Sequence, residues 1–418
     1  MTATAEPVGT TAVDAARWPD VARVPPSRVR GTVARAISLR AFARLPIRVR
    51  TPGGPLPSGG GPGTPVLELH RPDAFYRRLA AGGLIGFGES YMAGDWDAPD
   101  LVALLTAFGG GFADLVPRPL RPLRALALPT QPRAERNTRS GARSNIRRHY
   151  DLSNELFALF LDETMTYSAA LFDGGPAADR ADLAAAQHRK IDRLLDRTRV
   201  GPGTRLLEIG TGWGALAIRA AQRGARVDSV TLSREQCDLA RARVAAAGAA
   251  DRADVRVADY RELRGSYDAI ASVEMVEAVG ERYWPVYFTA LDRLTAPGGR
   301  VGLQAITMDH ARMRASRSAY TWMHKYVFPG GLIPSVRAIE EQVRARTALR
   351  VADRLRFGGD YAETLRLWRA AFDAGREQAA ALGFDGVFHR MWSFYLAYSE
   401  AGFRSGLIDV EQIVLERA

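Results

Sequence analysis

Residues 205–214 read Arg-Leu-Leu-Glu-Ile-Gly-Thr-Gly-Trp-Gly, running from Arg205 through Glu208, Gly210 and Gly212 to Gly214. The first five form a short apolar run of strand length, and the next five are too rich in glycine to continue it. Residues 215–222 then carry helical spacing, so the glycines occupy a strand-to-helix turn. Glycine there lets the backbone bend tightly and approach a ligand, while the N–H groups of the new helix point at whatever binds. The alternation continues outward: a strand at 226–231, a helix from 234 that Gly248 ends, strands at 255–257 and 267–272, the helix Trp284–Leu294, and a strand at 299–306. That order predicts an α/β fold, a Rossmann-like, doubly wound sheet of mostly parallel strands. A closing strand is expected at 410–415, after an aromatic-rich segment and several helices.

Gly-x-Gly-x-Gly, with the acid Glu208 two residues before the first glycine, suits S-adenosylmethionine (SAM) better than a dinucleotide, whose pyrophosphate needs a longer cradle. Gly210, Gly212 and Gly214 would wrap the amino-acid portion of the cofactor. After the third strand, Asp259 can accept from the adenine amino group and Tyr260 can stack on the ring. The second strand ends in Thr231-Leu232-Ser233-Arg234-Glu235-Gln236 without a carboxylate at the usual ribose position, so Thr231 and Gln236, with Leu232 between them, must serve there.

The chain of 418 residues has room for more than one domain, and its formal charge of +11 favours an anionic partner. Nine arginines and one acid, Glu135, lie between Val116 and Tyr150. Cys237 is the only cysteine and the six histidines lack ligand spacing, so neither a disulfide nor a metal site is expected. No apolar run reaches the ~20 residues of a membrane span, which predicts a cytoplasmic protein with peripheral lipid contact only. The expected organisation is a disordered arm at 1–30, a small α+β domain at 31–108, an Arg/Pro-rich linker at 109–145 and the catalytic domain at 146–418. Residues 66–69 alternate like a strand and 73–81 have helical spacing, whereas 82–91 carry too many glycines for a helix interior.

Beyond the glycine loop, an ordered set of segments resembles the cyclopropane-fatty-acid and mycolic-acid methyltransferases. These are Gly88-Glu89-Ser90-Tyr91-Met92, Ile146-Arg147-Arg148-His149-Tyr150-Asp151 with Asn154, Met165-Thr166-Tyr167-Ser168, Ser272-Val273-Glu274-Met275-Val276-Glu277, Lys325-Tyr326-Val327-Phe328-Pro329-Gly330-Gly331 and residues 396–404. The resemblance implies a seven-stranded class I SAM-dependent methyltransferase domain with a lipid-binding N-terminal domain, acting on cis double bonds of acyl chains. It adds Tyr167 and Ser168 to the SAM site. In the cyclopropane-forming relatives a bicarbonate ion serves as base, held by a cysteine, a glutamate, a histidine, an isoleucine backbone and a tyrosine. The corresponding residues here are Ala169, Glu277, Gln304, Ile306 and Tyr361, so two of the ion's side-chain ligands are replaced.

An alkene that attacks a sulfonium methyl becomes a carbocation, which must be kept from water and then lose a proton. The segment at 308–340, with Tyr320, Trp322, Tyr326 and Phe328, is suited to a lid over an acyl tunnel, and Tyr395 is a further substrate-lining candidate. Glu277 is expected to be the base or to orient it, with Tyr361 bonding the base or ion; Gln304 has no titrating group and can only orient. Ala169, Gln304 and the run Ser-Val-Glu-Met-Val-Glu-Ala-Val-Gly at 272–280 resemble the methylene-forming, tuberculostearic-acid branch. That implies oleoyl phospholipid as substrate at an anionic membrane face, and a separate reductase downstream. Cyclopropane synthesis is the runner-up, followed by small-molecule N-methylation; nucleic acid is not an expected partner, and a homo-oligomer is compatible with the sequence.

Overall fold

The computed structural model describes residues 13–115, 153–173 and 179–417. The arginine cluster, the linker from residue 116 and the segment at 146–151 lie outside them. The described chain falls into two compact units, one with the residues up to Leu115 and Arg376–Ala401, the other with the rest.

In the first unit, β1 (Arg48–Thr51), β2 (Gly54–Leu56), β3 (Val66–Leu69) and β4 (Trp96–Asp97) form a small sheet in the order β2-β1-β3-β4. Helices Pro72–Gly82 and Leu84–Met92 pack beside it. The second of these overturns the expectation that 82–91 avoid helix. Gly86 lies against the carbonyl of Arg78, where any Cβ would collide, so the glycine serves close helix contact and burial outweighs its poor propensity. The disordered arm is also corrected from residue 13 onward. Helices Pro19–Ala22 and Arg28–Phe42 are formed, and the Trp18 indole donates to Asp385 at 2.8 Å. Helix Leu101–Leu115 likewise takes up the first residues assigned to the linker.

The domain boundary at 108 also missed that helix Gly386–Arg404 contributes to this unit through residue 401. Arg390 ties it in: Nε donates to the Tyr91 carbonyl at 2.6 Å, Nη1 to Asp97 at 2.8 Å, and the guanidinium lies 4.0 Å from the centre of the Tyr91 ring.

The second unit is built on seven strands: β5 (Arg205–Ile209), β6 (Arg226–Thr231), β7 (Ala253–Val257), β8 (Tyr267–Val273), β9 (Thr295–Met308), β10 (Leu349–Arg356) and β11 (Ile408–Arg417). They are ordered β10-β11-β9-β8-β5-β6-β7, and only β11 runs against its neighbours. Leu206, Leu207 and Ile209 are buried on both faces, as a central parallel strand requires. β10 had no apolar signal because it is a mostly exposed edge, joined to β11 by charged pairs such as Arg350–Glu416 at 2.9 Å and Arg354–Glu411 at 2.7 Å. The chain winds from β5 outward to β7 and then returns to β8 on the other side of β5. The carboxyl ends of β5 and β8 therefore flank the switch point, where open α/β sheets bind ligands.

Candidate active site

At the end of β5 the backbone leaves the sheet through three left-handed glycines, Gly210 (φ +98), Gly212 (φ +53) and Gly214 (φ +89), and Gly214 starts helix Ala215–Gln222. Nothing lies within 4 Å of a Cβ built on Gly212, whereas one on Gly210 would stand 2.7 Å from Met275 Cγ. This open, backbone-lined cradle fits the amino-acid end of SAM. Glu208 lies in β5, two residues before the first glycine. Its carboxyl is buried and accepts from Ser229 Oγ at 2.5 Å, and the same hydroxyl stands 2.7 Å from the Thr211 hydroxyl. Burial pushes the Glu208 pKa up to about 8, against the Ser229 bond and the Lys190 charge. Through Ser229, Glu208 is linked to Thr211 of the glycine loop.

Around the cradle, Thr231 Oγ1 donates to Gln236 Oε1 at 2.9 Å, which fixes that carboxamide with its amino group directed elsewhere, and Leu232 is half-buried beside them. The Asp259 carboxylate is gripped by Arg261, Nε at 2.8 Å and Nη2 at 2.5 Å. Sequence reading had assigned no role to Arg261. Tyr260 is buried edge-on against Tyr287, 5.5 Å between centres, and burial raises its hydroxyl to about 12. Tyr167 is stacked on Trp368 at 5.2 Å, and Ser168 Oγ accepts from the buried Lys190 Nζ at 2.6 Å. Burial lowers Lys190 to about 8, with the nearby carboxylates of Glu274, Asp162 and Glu208 opposing.

The acid end lies just past β8. Glu277 is half-buried; its Oε1 accepts from the Ile306 N–H, and its Oε2 is buried without a partner. Tyr361 and Gln304 do not reach Glu277. They donate instead to Glu274, a residue the sequence reading quoted but gave no role: Tyr361 Oη to Oε2 at 2.7 Å and Gln304 Nε2 to Oε1 at 2.9 Å, with the Ala169 N–H on Oε1 at 2.9 Å. Register explains the meeting, since Gln304 sits in β9 between Val273 of β8 and Gln412 of β11. Gln412 Nε2 occupies the Gln304 carbonyl at 3.1 Å, which leaves the Gln304 amino end for Glu274.

The 308–340 segment folds back toward this end of the sheet. The Leu332 N–H donates to the Glu277 carbonyl at 2.8 Å, and His324 bonds the Gly331 carbonyl at 2.8 Å. Trp322 is buried and packs on Tyr326 at 5.4 Å between ring centres; Tyr320 stacks on His324, and Phe328 is half-buried. Tyr395 belongs to the first unit, packed on Trp392 at 5.1 Å.

Residues 137–413 match the protein family described as mycolic acid cyclopropane synthetase. The chain belongs to that family. It is a SAM-dependent methyltransferase. Over its whole length it is 51% identical to the tuberculostearic acid methyltransferase of Mycobacterium tuberculosis, covering 99% of that protein. It is 32% identical to the cyclopropane-fatty-acyl-phospholipid synthase of Escherichia coli K12, over 84% of this chain and 87% of that one. Among solved structures, a mycolic acid cyclopropane synthase complexed with SAH and CTAB superposes with a TM-score of 0.59 at 31% identity, covering 69% of this chain and 99% of that chain. The cyclopropane synthase MmaA2 of M. tuberculosis gives 0.60 at 31% identity, over 66% of this chain and 98% of that one.

Proposed function

We propose that this enzyme methylates the cis double bond of an oleoyl chain carried in phospholipid and releases a 10-methylene acyl product, the precursor of a methyl-branched, tuberculostearic-type acid. The observation that carries the reading is the half-buried carboxylate pair, Glu274 and Glu277, beside the SAM cradle, with the Glu277 Oε2 atom itself shut away from solvent. A carbocation needs a proton acceptor in a place with little access to water, and this half-buried pair supplies one. SAM supplies the electrophilic methyl group. Gly210, Gly212 and Gly214 hold its amino-acid end, with Gln236 and Tyr260 on the nucleoside side, while Trp322 and Tyr326 help to exclude water. The full-length similarity to a tuberculostearic acid methyltransferase favours the methylene over the ring.

The test is proton NMR of lipid from a host that expresses the enzyme and is fed oleate. Exocyclic olefinic protons are expected; cyclopropyl protons would replace the methylene reading with ring formation. The arginines at 118–148 suit delivery to an anionic bilayer, and a separate reductase would saturate the product. Vesicle binding is expected to rise with anionic lipid and fall with salt, and binding indifferent to both would remove the membrane surface from this reading.

A further inference from the structure

Five positions correspond to the ligands of a bicarbonate base in the cyclopropane-forming relatives, and every donor among them is already taken here, with only the acceptor Glu277 Oε2 left over. The Ala169 N–H, the Gln304 amino group and the Tyr361 hydroxyl all donate to Glu274, while Glu277 and the Ile306 N–H bond to each other. The ion does not fit these residues as they stand. We infer that the Glu274 carboxylate takes its place, and that this side chain is the proton acceptor of the reaction.

Geometry supports the substitution. Glu274 is one of three described non-glycine residues with positive φ, at +51. That conformation costs on the order of 1 kcal/mol or more and persists where the surroundings impose it. Here it turns the carboxylate back toward the Ala169 N–H, β9 and Tyr361. Two carboxylates this close and largely withdrawn from water do not both ionise readily. Burial raises the Glu274 carboxyl above its ordinary value, but its three donors and the positive charge of Lys190 oppose this and favour the ionised form. Glu277 is met only by backbone N–H groups, its own and that of Ile306, and has an orphan oxygen; burial first, and then the Glu274 charge, keep it protonated. The pair therefore rests with its negative charge on Glu274, ready to accept.

The step rests on the proposed function and balances as follows. The alkene π pair forms the new carbon–carbon bond as the methyl–sulfur bond breaks, its electrons staying on sulfur in neutral S-adenosylhomocysteine. After a hydride shift the cation gives a proton from the transferred methyl group to a Glu274 oxygen. The C–H pair becomes the exocyclic double bond, or the third ring bond if no shift occurs. Glu274, now a neutral acid, returns the proton to solvent when product leaves.

The first test needs no turnover and so reads this inference apart from the function. Carbon-13 NMR with labelled bicarbonate is expected to show no bound ion on the wild-type chain. Glu274→Gly, which suits the left-handed backbone and opens the site, is expected to bind it. Bound bicarbonate on the wild type that exchanges with unlabelled ion would overturn the inference. The second test uses oleoyl phospholipid vesicles. Wild-type turnover is expected to be equal within twofold in carbonate-free and bicarbonate-supplemented buffer, whereas a tenfold rise on supplementation would overturn it. Glu274→Gln, which preserves size, should lose at least 100-fold in kcat while S-adenosylhomocysteine binds within twofold of wild type. Retention of more than a tenth of kcat would overturn the acceptor role. Added bicarbonate should restore at least tenfold in Glu274→Gly, and a folded, SAH-binding variant that no small anion restores would count against it.

Discussion

Two carboxylates stand at neighbouring strand ends, the buried Glu208 on β5 and the half-buried Glu274 after β8, and their surroundings differ. Glu208 stays within its strand, accepts from one serine and is kept neutral by burial, next to the glycine loop. Glu274 lies past its strand, on a backbone most residues avoid, and collects three donors that favour charge. Burial alone therefore does not assign a role to an acid. The number of donors and the direction in which the backbone delivers the side chain decide it.

The contrast is broken most severely at the point where the two loops touch. Gly210→Val would place a side chain 2.7 Å from Met275 Cγ on a backbone at φ +98, next to Glu274. Loss of at least 100-fold in SAH affinity is expected by calorimetry, with about 3 kcal/mol of stability lost to strain and overpacking. If the affinity survives, the cradle is not where the cofactor sits.

A second effect concerns Glu277, which burial and the Glu274 charge raise to about 8 from an unfolded value of 4.5. Between those values the folded chain holds a proton that the unfolded chain has released. Stability from this group therefore falls as pH rises from about 4.5 to 8 and levels off above, with a limiting slope of about 1.4 kcal/mol per pH unit. Glu277→Gln should lessen that slope in denaturant titrations at pH 5, 6 and 7.5. Glu208 contributes a slope of the same sign, so the variant is expected to become shallower, not flat. An unchanged slope would mean that Glu277 ionises freely.

Tyr361→Phe removes one donor from Glu274 and leaves the cradle untouched. About tenfold is expected off kcat, the worth of roughly 1–2 kcal/mol for a bond to a charged group, with SAH affinity unchanged. A loss confined to KM would place Tyr361 on the substrate instead.

The cofactor half was legible in sequence because its constraint is local. A strand, three glycines and a helix must follow one another for the turn to exist, and residues 205–222 carry all of it. The acid half was legible only in part. Glu277, Gln304, Ile306 and Tyr361 were named, yet their pairing depends on three strands in register and on one positive φ, neither of which leaves a composition or spacing signal. The available hint was a second acid three residues before Glu277, beside an Ala169 and a Gln304 that no longer offered ion ligands. The glycine-rich helix at Leu84–Met92 was misjudged for the converse reason: intrinsic propensity was weighed and the tight packing under Gly86 was invisible.

The gentlest way to separate the two ends is Thr211→Val, which keeps the side-chain shape and removes the hydroxyl that meets Ser229. The Glu208–Ser229 bond survives, and the Gly214 N–H still donates to the Thr211 carbonyl at 3.0 Å, so the turn itself should hold. One neutral hydrogen bond is lost, worth about 1 kcal/mol, which at the loop corresponds to roughly fivefold weaker SAH binding. At saturating SAM, kcat should stay within twofold of wild type, since nothing that touches Glu274 has changed. If kcat drops as far as in Tyr361→Phe, the two carboxylate sites act as one network through Lys190, which lies near both. The division between an acid beside the glycine loop and a reacting one would then have to be given up.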